Sequence, residues 1–506
     1  MNPQTPLPIP PNVSWIDKLA SFYKENSIHH NVYDSIHLLP RYVRVVGQSC
    51  YFLNQDPPSK KPNPLPHTPS PPQSPSQIES LSALLESEIG STVTPSHLIH
   101  GLLRISDPNA KINNCNLYKT GKIVGLDLSS ALAAITLEVT PNDHVLDLCC
   151  APGGKLLLIA DILGSFGLPS NNSYGTITGV DISEQRLSTC RSILKKSSTP
   201  SAKIRARLYV GDGSKFDIQP PPDSWWDYSY HKDIQFAYKN NKTNIDKSNI
   251  PWFSSKLLRS PALYQESIAS QSNTNVLSNN TKIISNTTQH PETPCDNINQ
   301  HRKLYDKVLV DAECTHDGSL VHLYKYVNNS AIGKLDTDFL SPERVEAVSN
   351  LQYSLLINGW NQLKVGGTLV YSTCSLSYKQ NEMIVAKFLQ FANNFTNSDH
   401  YTAIVEQPNF VNSQPLTIDK ASIDNHSQNS NNSEIIHIQN SSNHQPKETK
   451  KRKHVGLKTQ ELILDQIYID FKEHLNKISS IVNCVRLDPR VSDTSGMFIS
   501  KIKKLR

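Results

Sequence analysis

Val145 to Lys155 reads Val-Leu-Asp-Leu-Cys-Cys-Ala-Pro-Gly-Gly-Lys. Val145 to Leu148 has the apolar character of a strand buried on both faces. A turn of small residues follows, and Leu156-Leu157-Leu158-Ile159-Ala160 predicts the first turns of a buried helix. Such a strand–turn–helix gathers free backbone N–H groups and the positive end of a helix dipole at one point. Asp147 stands on the strand just before that point. The stretch therefore reads as a place to hold a polar small molecule.

Outward from it, the pattern repeats. Thr176 to Asp181 predicts a second strand ending on a carboxylate, and Glu184 to Lys196 a helix. Ile204 to Val210 predicts a third strand, followed by Gly211-Asp212-Gly213. Lys307 to Asp311 predicts a fourth strand, again ending on Asp, and Pro342 to Leu363 a long helix. Gly366 to Ser372 predicts a fifth strand, then Cys374, then a helix from Asn381 to Phe391. Val482 to Leu487 and Met497 to Ile502 supply a closing pair of strands, and Leu128 to Leu137 an amphipathic helix ahead of the first strand. Strands alternating with helices predict a parallel, doubly wound α/β sheet.

The chain has 506 residues, of which 37% are hydrophobic, a low share for a globular protein. Length allows two or three domains. Pro57 to Pro75 is Pro/Ser-rich, and Pro220 to His301 and Asn412 to Thr449 are polar and without periodicity. These stretches are expected to be loops or disordered insertions. Residues 1–95 are assigned to an N-terminal accessory region. It has helical spacing at Trp15, Leu19, Phe22 and Tyr23, a strand over Leu39 to Val46 and a helix over Ile78 to Leu85. Residues 96–506 are assigned to one catalytic domain carrying insertions at about 220–301 and 412–449, with a further strand over His97 to Ile105. Nine cysteines, an odd number without regular spacing, and no secretory leader point to a reducing, intracellular location, nuclear, nucleolar or cytoplasmic. No run of eighteen apolar residues suggests a transmembrane helix. The net charge of +5 suits a polyanionic partner without demanding one.

In an open α/β sheet, ligands sit outside the carboxyl ends of the strands. Those ends carry Asp147, Asp181, Asp212 and Asp311. One such carboxylate is often only a solvated helix cap; four at successive strand ends argue for a site. The sequence lacks Gly-x-Gly-x-x-Gly, which speaks against a dinucleotide, and Lys155 is followed by Leu156, which speaks against a phosphate-binding loop. S-Adenosylmethionine fits better. Asp181 is placed for ribose hydroxyls and Asp212 for an adenine edge.

Cys314 and Cys374 follow the fourth and fifth strands and face the same crevice. A lone cysteine is usually a small buried hydrophobe. Zinc is set aside because no Cys-x-x-Cys pair is present, and no metal is expected. Near a methyl donor a thiol has a specific use. C5 of a pyrimidine is a poor nucleophile, but a thiolate adding to C6 turns the ring into an enamine. A base must later remove the C5 proton so that the thiol can leave. Asp311 is suited to the N3/N4 edge of a cytosine. The base must be unstacked to be reached.

These motifs resemble the RNA (cytosine-5)-methyltransferases of the Nop/Sun group. The resemblance rests on Cys149 to Lys155, Asp181, Asp212, Asp311-Ala312-Glu313-Cys314, Ser372-Thr373-Cys374-Ser375, and Asp488-Pro489 to Gly496-Met497-Phe498. It implies a Rossmann-like class I S-adenosylmethionine-dependent fold with a mostly parallel seven-stranded sheet. It implies Cys374 as nucleophile and Cys314 as the residue assisting product release. Cys149, Cys150, Ala151, Pro152, Gly153, Gly154, Lys155, Asp181, Asp212 and Asp311 would line the cofactor site. The implied partner is RNA, ribosomal or transfer, and the expected state is a monomer. An RNA-binding ribosome-assembly scaffold retaining this fold is the competing reading. Glu313 stands where the family has Pro, and its carboxylate is expected to reshape the loop and raise the Cys314 pKa. Basic residues that could meet phosphates are Lys450, Lys451, Arg452 and Lys453, the tail Lys501, Lys503, Lys504 and Arg506, and Arg41 and Arg44.

Overall fold

A computed structural model describes residues 13–26, 28–29, 32–33, 39–48, 50–53, 75–165, 175–196, 205–221, 251–255, 302–320, 323, 340–393, 403–412, 419–420, 483–490 and 492–505. Most of the three polar, aperiodic stretches, and the basic run at Lys450 to Lys453, lie outside the described residues.

Five strands form the parallel centre of a large sheet: β5 (His144–Asp147), β6 (Thr176–Asp181), β7 (Ala206–Val210), β9 (Tyr305–Asp311) and β10 (Leu363–Thr373). Their order across the sheet is β10-β9-β5-β6-β7. The chain moves outward through β6 and β7, then returns to the other side of β5. The reversal leaves a switch point between β5 and β9, where an open α/β sheet offers its crevice. Two antiparallel strands, β14 (Met497–Lys504) on β10 and β13 (Val485–Leu487) on β14, complete the expected seven. Three short strands were not anticipated. They are β8 (Phe253–Ser254) on β7, β11 (Ala403–Glu406) on β14 and β12 (Asp419–Lys420) on β13, all antiparallel. Two of these fall within the stretches read as insertions, which thus return to pair at the sheet margins.

Alternation along each strand feeds two apolar layers. Val145, Ile177, Leu208, Leu309 and Val370 pack with α4 (Leu128–Ile135), α5 (Gly154–Ser165) and α6 (Glu184–Lys196). Leu146, Val180, Tyr209, Val308, Val310 and Tyr371 pack with α7 (Pro342–Gln362) and α8 (Glu382–Asn393). The long helix α7 starts where the sequence provides a cap: Ser341 accepts from Arg344 N, and Pro342 opens the first turn.

A smaller antiparallel sheet has the order β2-β3-β1-β4, from β1 (Arg41–Val45), β2 (Val93–Pro95), β3 (Leu102–Ile105) and β4 (Ile123–Gly125). Its strands come from both sides of residue 95, so the boundary drawn there passes through a sheet. One face packs on α2 (Pro75–Ile89), and the other sends Tyr42, Leu102 and Val124 into the α4–α6 layer. The buried pair Arg44–Asp161, 2.7 Å, ties β1 to α5. Helix α1 (Val13–Glu25) packs Leu19, Phe22 and Tyr23 on Leu320, Leu323, Val345 and Leu376.

Candidate active site

The turn after β5 is held against β6. Cys150 N donates to Val180 O at 2.9 Å, and Ala151 N donates to Asp181 Oδ2 at 3.2 Å. Gly153 has φ +105°, and a Cβ there would lie 3.0 Å from Cys190 Cα, so α6 presses on the turn from behind. This satisfies both reasons for glycine, the positive φ and the close approach. Asp181 is buried and also accepts from Ser183 N at 3.0 Å. Next to it Ile182 is 71% exposed, an apolar surface at a strand end beside a carboxylate. Asp212 caps its own turn through Ser214 N, 2.9 Å, and Ser214 Oγ, 2.7 Å, and these hydrogen bonds lower its pKa. Cys149 N turns back to Asp147 Oδ1 at 3.3 Å. Cys150 is buried against Cys190.

At the switch point, Lys155 Nζ reaches Asp311 Oδ2 at 2.8 Å and Ser130 Oγ at 3.0 Å. Ser372 Oγ donates to Asp311 Oδ1 at 2.7 Å. Burial would lower the Lys155 pKa, but Asp311 outweighs it and the net shift is upward. Asp147 is buried beside this pair. Burial first, and then the charge of Asp311, push its carboxyl up to about 8. The crevice thus holds one carboxylate paired to an ammonium and one carboxyl that stays protonated at neutral pH.

The two thiols meet across β9 and β10. Ala312 N donates to Ser372 O at 3.0 Å, continuing the ladder beyond the strand end. Cys314 Sγ and Cys374 Sγ lie 3.2 Å apart. The loops carrying them are riveted together. Gly318 N donates to Cys374 O at 3.0 Å, Thr315 N to Gln380 Oε1 at 3.0 Å and Leu376 N to Asp317 Oδ2 at 2.8 Å. Gly496 N donates to Gly318 O at 2.8 Å, and the two backbones approach so closely that a Cβ on Gly496 would lie 3.0 Å from Gly318 Cα and one on Gly318 3.2 Å from Gly496 Cα. Helix α1 joins from the far side: Tyr23 Oη donates to Asp317 O at 2.9 Å, and Ser377 Oγ to Asn26 Oδ1 at 2.5 Å.

Cys314 is buried, and its thiol is pushed well up by burial and by Cys374 beside it. The rise expected there is present, but Glu313 is not its cause: that side chain is exposed and paired with Arg344. His316 is a site residue that sequence reading missed. Its Nδ1 is 3.0 Å from Cys374 Sγ and 3.6 Å from Cys314 Sγ. Cys314, then Asp317 and Glu313, raise its pKa to about 9, although the side chain is exposed on one side. The three ligand atoms of Cys314, His316 and Cys374 lie within 4.8 Å of one another. Two thiolates on one tetrahedral zinc sit about 3.8 Å apart. The observed 3.2 Å is closer, and suits hydrogen-bonded sulfurs.

The basic residues proposed for phosphates are largely spent elsewhere. Arg44 is fully buried on Asp161, and Arg41 donates to Ala110 O. Lys501 is buried on Glu138 and Glu406, and Lys504 donates to Trp360 O and Leu363 O. Lys503 is half-buried and reaches Thr368 Oγ1 at 3.3 Å, and Arg506 lies outside the described residues.

A family described as 16S rRNA methyltransferase RsmB/F matches residues 134–220 and 265–503. The ribosomal RNA small subunit methyltransferase B of Enterobacter sp. (strain 638) is 24% identical over 295 residues, 58% of this chain and 44% of that protein. The 5-cytosine rRNA methyltransferase NSUN4 of Xenopus laevis is 36% identical over 88 residues, 17% of this chain and 20% of that protein. The chain thus spans less than half the length of these curated relatives. A crystallised methyltransferase homologue from Pyrococcus horikoshii shares 17% identity at a TM-score of 0.45, covering 97% of this chain and 99% of that one.

Proposed function

The chain belongs to the 16S rRNA methyltransferase RsmB/F family, and from that premise we propose that it transfers a methyl group from S-adenosylmethionine to C5 of a cytosine in RNA. Ribosomal RNA is the substrate class that the relatives' names point to. The observation that carries the reading is the thiol pair of Cys314 and Cys374, 3.2 Å apart at the ends of adjacent parallel strands, beside Asp311 and Lys155 at the switch point.

The crevice suits the cofactor. Asp181 is a buried carboxylate with lone pairs to spare beyond its two backbone donors, and exposed Ile182 offers a face for a purine. Asp212 and the turn Cys149 to Lys155 complete the wall. Bound there, S-adenosylmethionine supplies an electrophilic methyl group.

The chain's own residues do the rest. Cys374 Sγ adds to C6 of the unstacked cytosine, and the C5=C6 electron pair moves to C5. Asp311, oriented by Lys155 and Ser372, accepts from the N4 amino group and holds that edge of the ring as electron density builds on C5. After methylation a base takes the C5 proton, the electron pair reforms C5=C6, and the Cys374–C6 bond breaks. Cys314, a thiol at neutral pH, stands where it can attend that release.

The test is methyl transfer by the full chain to ribosomal RNA with labelled S-adenosylmethionine, run beside Cys374→Ala and Cys314→Ala. The expected result is label at cytosine C5 with the wild type, none with Cys374→Ala, and a covalent protein–RNA adduct with Cys314→Ala. No label from the wild type, and no adduct with RNA containing 5-azacytidine, would leave the scaffold reading standing instead.

A further inference from the structure

His316 belongs to no motif that drew attention in the sequence, yet it is the polar group nearest the nucleophile. Its Nδ1 stands 3.0 Å from Cys374 Sγ. Its backbone has φ +55°, a conformation rare for residues other than glycine, though His is among those that adopt it more often. The neighbours fix that conformation from both sides. Thr315 N is held by Gln380, Asp317 Oδ2 takes Leu376 N, Ser319 N returns to His316 O at 3.0 Å, and Gly318 lies against Gly496. A strained backbone at a reacting atom is a reason to look for function.

The geometry points to His316 as the group that takes the proton from the Cys374 thiol and gives it back at release. This rests on the cysteine-addition chemistry proposed above and adds a residue to it. A neutral ring protonated at Nε2, the minor form below a pKa of about 9, accepts the Cys374 S–H at Nδ1. The S–H bond breaks, an N–H bond forms at Nδ1, and the sulfur electron pair adds to C6. At release the C6–S bond breaks, the pair returns to sulfur, and Nδ1–H donates to it. No further reactant is required.

The charged and titratable groups around the ring agree with this. Cys374 faces it from the segment after β10. On its own loop stand Cys314, Asp317 and Glu313, and α7 contributes Arg344 through Glu313. The neighbouring carboxylates favour the imidazolium, and an imidazolium donating to Sγ stabilises negative charge developing on that sulfur. Cys314, by contrast, is buried, and its sulfur hydrogen bond to the same nitrogen is longer, 3.6 Å. The imidazole touches both thiols but stands closer to Cys374, 3.0 Å against 3.6 Å, the more exposed of the two.

The experiment reads the sulfur directly and needs neither RNA nor cofactor. The full chain is pulsed with iodoacetamide between pH 5 and 9, and alkylation of the Cys374 peptide is followed by mass spectrometry. His316→Gly keeps the left-handed backbone without strain, and His316→Asn keeps it with an amide that cannot take a proton. Both variants are expected to alkylate Cys374 at pH 7 about 10²-fold more slowly than wild type, the low end of general-base effects. Free imidazole should restore the rate in His316→Gly, because the position is open to solvent. Wild-type rates in His316→Gly or in His316→Asn, or a loss in His316→Gly that imidazole does not restore, would overturn the assignment. A wild-type protein that alkylates as expected but methylates no RNA would instead refute the proposed reaction and leave the thiol–imidazole pair intact.

Discussion

Replacing Arg44 by Met should destabilise the protein by about 3–5 kcal/mol, because it strands a buried carboxylate. Arg44 is fully buried and Asp161 is 3% exposed. Without the guanidinium, Asp161 keeps Gly47 N as a donor at 3.0 Å but loses the counter-charge of Arg44. The pair itself is not strongly stabilising. Arg44 Nε and Nη2 find no hydrogen-bond partner among the described residues, so much of the desolvation is unrecovered. Arg44→Met combined with Asp161→Leu removes both charges and costs mainly the Gly47 hydrogen bond, about 1–3 kcal/mol. The double variant should therefore be more stable than Arg44→Met alone, against the ordinary expectation that two core changes do more harm than one. Urea unfolding with an unchanged slope measures it. At slopes of about 2–3 kcal/mol/M the single variant should lose roughly 1–2 M in midpoint. A single variant within about 1 kcal/mol of wild type, or a double variant equal to the sum of the singles, would refute the reasoning. The result bears on function because this pair ties the small sheet to α5, the helix that springs from the turn at Lys155.

Three further outcomes are expected. Asp147→Asn should stabilise the protein, and more so at pH 9 than at pH 5. The folded carboxyl titrates at about 8 against 3.8 for its ordinary value, so the wild type holds a proton through that window and loses stability as pH rises through it. The gain should grow by a few kcal/mol at most, at 1.36 kcal/mol per unit, and a difference that stays flat in denaturation across that range refutes it. Gly318→Ala should lose methyl transfer by more than its stability cost of about 1–3 kcal/mol, because its Cβ would sit 2.7 Å from Cys374 O and push the thiol loops apart. Titrating activity against folded fraction separates the two effects. Lys155→Met should reduce methyl transfer about 10²-fold through loss of the partner that orients Asp311, with Lys155→Arg recovering part of it in the same assay.

The central strands were legible because burial on both faces writes itself as unbroken apolar runs. Thr176 to Asp181 and Glu184 to Lys196 were placed to the residue, and the strand ends delivered Asp147, Asp181 and Asp311 to one crevice. The edge strands were not legible. Two residues at Phe253–Ser254 and two at Asp419–Lys420 are too few to show a period, and pairing with a neighbour is what makes them strands. Charge misled as well. Arg44 and Lys504 look like surface cations in sequence, and only the fold shows the carboxylate and carbonyls that draw them inside. His316 carries no signal of its own. Its meaning comes from a cysteine 58 residues away, brought within 3.0 Å by a parallel strand pair.

The riveting of the two thiol loops also sets when the site can exist. Its cross-links span long stretches of chain: 294 residues from Tyr23 to Asp317 and 351 from Asn26 to Ser377. Contacts that distant form late, since their loop-closure entropy must be overcome first. At ordinary synthesis speeds the ribosome takes roughly ten to forty seconds to travel from Cys314 to Gly496. Throughout that interval the first thiol loop lacks the glycine that locks it. The paired sulfurs are thus locked only after Gly496 has been made, well after both cysteines have left the ribosome's active centre.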